Sequence, residues 1–164
     1  MKNITILIIC MAFLLFRPYQ MQSSGMLYKG DDFSYFAHAT TFAFFTFPDY
    51  SIENYGIEGK LPKASIGPGL LAAPFVLCFS QIDRLTGNDI CINRKNSKNY
   101  RSSWSLFGFV FSTLFYFYIS CILLYSALRH EFDSQTSQWT VIGILMLQGI
   151  PLYVFRRPIF SHVY

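Results

Sequence analysis

The longest apolar run in the chain extends from Trp104 to Leu128 and contains no Asp, Glu, Lys or Arg. Arg101 and Arg129 stand just outside its two ends. About 20 consecutive apolar residues are enough for a helix to cross the hydrocarbon core of a bilayer, and basic residues commonly flank such helices. We therefore predict a membrane-spanning helix over these residues.

The composition supports a membrane protein. Of the 164 residues, 52% are hydrophobic and only 13% are charged, which is far from the composition of an ordinary soluble domain. The net charge of +4 is spread over several segments without a dense Lys/Arg tract, so we predict no nucleic-acid partner. The four cysteines show no CxxC or CxxH spacing, and we predict neither a metal finger nor a disulfide framework.

Two further apolar runs predict additional spans. The first, from Ile4 to Phe16, is short, and we interpret it as an uncleaved first span or signal anchor, with a cleaved signal peptide as the alternative. The other runs from about Trp139 to Phe155 and stops at Arg156 and Arg157. The predicted fold class is thus an all-α polytopic membrane protein with about three transmembrane helices.

The domain prediction is one membrane domain over residues 1–164. Residues 1–17 form the first span, 18–103 an outer loop, 104–128 the second span and 138–155 the third. Within the outer loop we predict two short interfacial helices. One covers Phe33 to Phe47 before Pro48, with Ser34, His38 and Thr41 in a polar stripe at helical spacing. We attribute a packing role to His38.

The second predicted interfacial helix covers residues 66–79. It is 14 residues long and contains two prolines, Pro68 and Pro74, so we expect it to insert partway without crossing. Gly67 to Gly69 lack the Lys-Ser/Thr of a phosphate-binding loop, and we expect them to turn the chain into this helix. The residues from Gln81 to Ser103 are interpreted as a polar loop.

The topology depends on this short helix. If it does not cross, Asp31, Asp32 and Lys63 share the outer face with the residues after the third span. That arrangement leaves only Lys2 and Arg129 inside and the other eleven of the thirteen Lys and Arg residues outside, against the positive-inside rule. If it crosses, the basic residues 84–101 move inside, together with Arg156 and Arg157, and the rule is better obeyed. The short length favours the first arrangement.

Two adjacent carboxylates, Asp31 and Asp32, stand at the start of the first outer helix. One interpretation is N-capping of a helix that begins near Phe33, a position that favours Asp. The other is reactive: one carboxyl of a close pair tends to have a raised pKa, which suits a general base. The two roles are compatible, because one Asp can cap while its neighbour faces a substrate.

Four motifs, in this order, resemble the N-terminal part of bacterial GT-C-type integral membrane glycosyltransferases, the group that includes protein mannosyltransferases and lipid A aminoarabinose transferases. They are Gly30-Asp31-Asp32 with nearby Tyr35, the Lys63 to Phe75 segment, the aromatic-rich span from Trp104, and Phe155 to His162 with its Arg-Arg-Pro. The likeness covers nearly the whole chain as discontinuous motifs. Relatives have many further helices, so it implies a fragment of a larger protein or a truncated product.

The resemblance implies an enzyme that takes a sugar from a polyprenyl-phosphate donor and passes it to a hydroxyl of a lipid or glycan acceptor on the non-cytoplasmic face. It makes Asp31 or Asp32 the catalytic base. Substrate-binding roles are implied for Tyr35, Lys63, Arg156, Arg157 and His162, the cationic groups holding the departing phosphate. No cofactor is expected, and a divalent metal is not indicated.

Simpler interpretations stand beside these roles. Lys63 can be a solvated loop charge, Arg156 and Arg157 can anchor a span at the membrane surface, and His162 can be structural. The alternative for the whole chain is a non-enzymatic small membrane protein, either a transporter piece or an assembly subunit. The lack of ionisable residues in Trp104 to Leu128 argues against a transporter. A secreted domain fits poorly with two later apolar runs.

Overall fold

The computed structural model describes residues 5, 6, 9, 31–50, 62–88, 90, 103–149 and 154, with the side chains of the first helix described from Ser34 onward. Within these residues the chain forms helices and no strands, which confirms the all-α class for the part described. The four helices are α1 (Asp31–Ala43), α2 (Ile66–Thr86), α3 (Trp104–Glu131) and α4 (Ser134–Leu147).

Helix α3 begins at the predicted residue and continues three residues past Leu128. It has 28 residues, and by length and composition both α3 and α2 are able to cross a membrane. Several large apolar side chains point away from the protein, including Phe111, Phe115 and Leu123. The outer surface of this helix is therefore apolar, as a lipid-facing surface would be.

The predicted end of α2 at Phe79 is wrong. The helix continues to Thr86, giving 21 residues, and Gly87 closes it with a φ of +70°, a conformation that glycine adopts without a steric penalty. Pro74 lies within the helix on its exposed side and does not end it. The helix is therefore long enough to cross a membrane, because the residues from Ser80 to Thr86 also belong to it.

Asp83 is a polar residue near the end of α2 whose hydrogen-bond partners lie at the start of α3. Its side chain is fully buried and accepts hydrogen bonds from the backbone amides of Trp104 and Ser105, both at 2.8 Å, and from the Ser103 hydroxyl at 3.3 Å. The first amides of a helix have no partner within that helix. Asp83 therefore caps α3 from a neighbouring helix, a role that Ser103 at the N-cap position does not fill with its own side chain.

Helix α2 packs antiparallel against the first half of α3. At one end Asp83 meets Trp104, and toward the other end the Tyr116 hydroxyl donates to the carbonyl of Leu71 at 3.2 Å. Between these points Gly108 lies so close to α2 that an added Cβ would come within 2.6 Å of the Phe75 carbonyl oxygen. Small residues at such crossings let helix backbones approach closely.

Helix α1 packs against α2 and α3 and is buried almost all round. Ser34, His38 and Thr41 are each at most 5% exposed, as are apolar residues on the other sides of the helix. The Phe36 ring meets Phe109 of α3 edge to face, with centroids 5.4 Å apart. The predicted helix exists, but its polar stripe faces the protein interior, and its position in a membrane interface is not confirmed.

Helix α4 folds back on the last part of α3 after the short connection at Phe132 and Asp133. It has 14 residues, and Gly149 follows it with a φ of +64°. The third span predicted over residues 138–155 is not confirmed, because the helix starts and ends earlier than predicted. Most of the first predicted span lies outside the described residues; residues 5, 6 and 9 are helical.

Candidate functional site

The acid pair opens α1. The helix begins at Asp31, two residues before the start predicted near Phe33, so Asp31 and Asp32 belong to its first turn and do not precede it. Negative charge is favourable there because the helix dipole is positive at its N-terminus. Their carboxyl groups lie outside the described side chains, so the catalytic role of either residue stays a prediction.

His38 connects α1 to two other parts of the chain. Its Nδ1 atom lies 2.6 Å from the Tyr50 hydroxyl, in the residues that follow α1, and its Nε2 atom lies 3.1 Å from the carbonyl oxygen of Ala64, just before α2. We call these two hydrogen bonds the His38 bridge. The tyrosine ring also stands edge-on to the imidazole, at a centroid distance of 5.3 Å. The packing role predicted for His38 is confirmed.

The partners determine the tautomer of the imidazole. A carbonyl oxygen only accepts hydrogen bonds, so Nε2 must carry the proton that is donated to Ala64. In a neutral ring, Nδ1 is then an acceptor, and the Tyr50 hydroxyl donates to it. Burial lowers the pKa of His38, against a smaller opposing effect of the Ala64 bond. The neutral form is therefore the one that this environment favours.

Tyr50 is held in place by its hydrogen bond to His38 and by a second one with the Thr41 side chain. Burial raises the pKa of its hydroxyl, and a hydrogen bond with the Thr41 side chain opposes that change. Residues 44–50 fold back over α1, where the amides of Thr46 and Phe47 both donate to the carbonyl of Thr41. The Phe47 ring stacks on Phe42 at 4.5 Å. This return of the chain is what carries Tyr50 to His38.

Two predicted substrate-binding residues lie beside the His38 bridge along the chain. Lys63 is exposed and immediately precedes Ala64, so the bridge holds its segment against the middle of α1. Tyr35 lies on α1 one turn before His38 but is only 8% exposed and belongs to the apolar core. Its burial favours packing over substrate contact, although its hydroxyl is not without interactions.

The structure brings the acid-bearing helix and the Lys63 segment together. Asp31 is seven residues before His38, a separation of roughly 10 Å along a helix axis. The other predicted site residues, Arg156, Arg157 and His162, lie outside the described residues. Among the described residues, no group of three or more His, Cys, Asp or Glu side chains is placed to hold a metal ion.

Sequence reasoning missed Tyr50 and Asp83. Nothing in the sequence near Tyr50 marks it as the partner of a histidine twelve positions away. Asp83 does leave a signal, because it continues a line of small and polar residues at helical spacing on one face of α2. The members of that line, all buried, are Gly69, Ala72, Ala73, Val76, Ser80 and Asp83.

The sequence matches no family model and no curated protein, and the fold matches no solved structure.

Proposed function

We propose that this chain is the N-terminal part of a GT-C-type membrane glycosyltransferase that transfers a sugar from a polyprenyl-phosphate donor to an acceptor hydroxyl on the non-cytoplasmic face. The observation that supports the proposal best is the 3.1 Å hydrogen bond between His38 Nε2 and the Ala64 carbonyl. It joins the helix that begins with Asp31 and Asp32 to the segment that carries Lys63. The helix that carries the proposed general base and the segment that carries the proposed phosphate-binding lysine are thereby neighbours.

The antiparallel arrangement of α2 and α3 supports a specific topology for the proposal. If both helices cross, Lys63 lies on the side of the membrane on which α3 ends, and the connection between the helices lies on the opposite side. That connection contains Arg94, Lys95, Lys98 and Arg101. The positive-inside rule assigns it to the cytoplasm, which leaves Lys63 on the non-cytoplasmic face.

In the proposed reaction, one carboxylate of the acid pair takes the proton of the acceptor hydroxyl as the hydroxyl oxygen attacks the anomeric carbon. The bond from that carbon to the phosphate oxygen breaks, and the electron pair leaves with the polyprenyl phosphate. Lys63 stabilises the departing phosphate through its positive charge. Arg156, Arg157 and His162 are proposed to assist it, which requires that α4, with 14 residues, does not cross the membrane, so that the residues after it stay on the same face as Lys63.

The test measures release of polyprenyl phosphate from mannosyl- and aminoarabinosyl-phosphate polyprenols, with the complete encoded protein in proteoliposomes. We expect Asp31→Asn or Asp32→Asn to reduce the rate by about 100-fold or more, the usual contribution of a general base. Asp49→Asn is the matched control, since this exposed carboxylate follows α1 and lies outside the proposed site. Unchanged transfer in both acid-pair variants would contradict the catalytic assignment.

The face of each residue is tested separately by cysteine accessibility at Lys63 and Ser161. We expect both positions to react with a membrane-impermeant reagent added from the non-cytoplasmic side. If the two positions react from opposite sides, Lys63 and His162 do not share a site.

A second candidate, a membrane assembly subunit, is favoured by one surface. A row of aromatic rings follows the α2–α3 contact, in which Phe75 lies 5.1 Å from Phe115 and Phe79 lies 5.6 Å from Phe111, between ring centroids. Phe111 and Phe115 remain more than a third exposed. An aromatic surface of this kind suits packing against another membrane helix. Full transfer activity in the monomeric protein would reject the need for such a partner.

A further inference from the structure

Helix α4 carries exposed side chains that the proposed reaction does not use. Its outer side presents Gln135, then Trp139, then Met146 and Leu147. Trp139 is 63% exposed, Met146 62% and Leu147 88%. This side of the helix therefore changes from polar to aromatic to aliphatic in the direction of the chain. A helix that passes from water through the headgroup region into hydrocarbon shows the same order, because tryptophan prefers the membrane interface.

We propose that α4 is a re-entrant helix. It inserts into the non-cytoplasmic leaflet of the membrane and ends within that leaflet, and the chain then turns back toward the face from which it came. The exposed side of α4 is covered by lipid acyl chains. The proposal rests on the membrane crossing of α2 and α3 in the proposed function, and it does not depend on the sugar-transfer reaction.

The contacts of α3 show where α4 meets the membrane. Tyr116 of α3 lies beside Leu71, which is about five residues after the start of α2. Because the two helices are antiparallel, the start of α2 is level with a point on α3 about five residues beyond Tyr116, near Cys121. Helix α3 continues to Glu131, about 15 Å further at 1.5 Å per residue. If α2 crosses, the last part of α3 therefore projects from the membrane surface.

Helix α4 begins beside this projecting part and runs back along it. The Ser134 hydroxyl lies 3.0 Å from the Tyr125 hydroxyl of α3. Further along, α4 shares an apolar cluster with the α3 residues Phe117 and Cys121. Trp139 is about five residues after Ser134, which is about 7.5 Å along the helix axis. Trp139 is therefore level with the start of α2, at the membrane surface, and the rest of α4 lies deeper.

The length of α4 does not allow it to reach the other side. Its 14 residues extend about 21 Å, whereas the hydrocarbon core is about 30 Å thick, and the helix starts above the surface. The part from Trp139 to Leu147 extends only about 12 Å into the membrane. Helix α4 therefore ends near the middle of the bilayer.

The position of Val154 argues against a continuation toward the cytoplasm. Val154 is fully buried and belongs to the same apolar cluster as Val141 and Leu145. A helix continued past Leu145 would carry Val154 about 13 Å further along the axis, out of contact with the described members of the cluster. Gly149 follows α4 with a φ of +64°, a conformation typical of the residue after a helix end. Val154 is therefore back beside α4, as a re-entrant chain requires.

A helix that ends inside a membrane leaves its last carbonyl groups without partners in the helix. Gln148 stands at this end, where its backbone amide donates to the Ile144 carbonyl at 3.1 Å. Its side-chain amide has two further N–H donors that can bind the remaining carbonyls. A return of the chain also satisfies the condition that the proposed function sets for Arg156 and Arg157, which is a place on the face of Lys63.

The test uses single cysteines at Thr86, Gln135 and Gln148, all exposed positions, in a background in which the four native cysteines are replaced. A membrane-impermeant maleimide is added to either side of oriented vesicles that contain the complete encoded protein. We expect Thr86→Cys to react only from the cytoplasmic side and Gln135→Cys only from the other side. Gln148→Cys should lose labelling from both sides, because it lies in hydrocarbon.

The outcomes separate the re-entrant helix from the crossing on which it rests. Labelling of Gln148→Cys from the cytoplasmic side, while Thr86→Cys and Gln135→Cys react from opposite sides, overturns the re-entrant helix alone. Labelling of Gln148→Cys from the non-cytoplasmic side also overturns it, because α4 would then lie outside the membrane. Labelling of Thr86→Cys and Gln135→Cys from the same side overturns the crossing as well.

A second measurement does not depend on thiol chemistry. The chain has two tryptophans, so Trp104→Phe leaves Trp139 as the fluorescent reporter. In vesicles of brominated phosphatidylcholine, we expect lipids brominated near the headgroup to quench Trp139 most strongly. When the reporter is moved by Trp139→Phe with Gln148→Trp, lipids brominated near the chain end should quench most strongly.

Two results of this measurement overturn the proposal. Stronger quenching of Gln148→Trp by the lipids brominated near the headgroup places the end of α4 at a membrane surface. Absence of quenching of Trp139 by either lipid means that a protein surface covers this side of α4. Transfer rates of the acid-pair variants, by contrast, bear only on the proposed reaction.

Discussion

Replacing Asp83 by alanine is expected to separate the start of α3 from α2. The substitution removes the acceptor of three hydrogen bonds, from the amides of Trp104 and Ser105 and from the Ser103 hydroxyl. Asp83 and Ser105 are fully buried, so water cannot replace the lost bond to the Ser105 amide, whereas the bond to the Trp104 amide is only part-buried. An unsatisfied buried donor costs about 1 to 3 kcal/mol, and two amide donors are left. We expect the free energy of unfolding to fall by about 3 to 5 kcal/mol.

Asp83→Asn should be less damaging. One amide oxygen still accepts, while the NH2 group that replaces the other oxygen faces a backbone donor. The expected loss is about half that of the alanine variant, in the range of about 1.5 to 2.5 kcal/mol. Asparagine has nearly the shape of aspartate, so any loss of stability in Asp83→Asn comes from the hydrogen bonds and not from a change in side-chain volume.

The assay has a global and a local part. Unfolding in detergent micelles, titrated with denaturant, measures the free energy of unfolding, and hydrogen exchange measures protection of the Trp104 and Ser105 amides. Asp133→Ala is the control, because Asp133 caps α4 at an exposed position and accepts from Gln135 and Thr136. It should loosen α4 without changing exchange at Trp104. A loss below about 1 kcal/mol in Asp83→Ala, or unchanged exchange at both amides, refutes the reasoning.

Three further predictions concern other contacts. Gly69→Ala should lower the free energy of unfolding by about 1 to 3 kcal/mol, because an added Cβ meets α1 backbone atoms at 2.9 and 3.0 Å, whereas Gly67→Ala, with nothing within 4 Å, should be tolerated. Since burial lowers the pKa of His38, the unfolded state binds a proton on this side chain more tightly than the folded state does. The free energy of unfolding should therefore be highest above about pH 6.5 and fall as the pH drops through the folded-state pKa. Unfolding curves of His38→Gln should lack this pH dependence. The Thr136 hydroxyl, and then the amides of Thr136 and Gln135, hold the pKa of Asp133 below its ordinary value. Circular dichroism should therefore show loss of helix at α4 as the pH falls through that pKa, and in Thr136→Ala the loss should begin at a higher pH.

Much of the helical content could be predicted because it depends on local sequence. The apolar run from Trp104 to Leu128 specifies a helix wherever it packs, and α3 begins at the predicted residue. The helix before Pro48 was also predicted, since a proline limits how far a helix can continue. These features depend on neighbouring residues and on the chemistry of the side chains.

Helix ends and polar partners could not be predicted, because they depend on residues far away in the chain. Asp83 looks like part of a loop until Trp104, 21 positions later, supplies a donor for it. His38 looks like one member of a polar stripe until Ala64, 26 positions later, accepts its proton. Burying a polar group is favourable only when a partner is present.

The sequence by itself determined that the described chain is helical and that the segment from Trp104 is apolar enough to cross a membrane, because hydrophobicity and helix propensity are properties of each segment alone. Tertiary structure decided that α2 continues to Thr86, that the polar side of α1 faces inward, and that Lys63 stands next to a histidine bridge. The reason is that a buried hydrogen bond requires both partners in place, and only the packed helices bring them together.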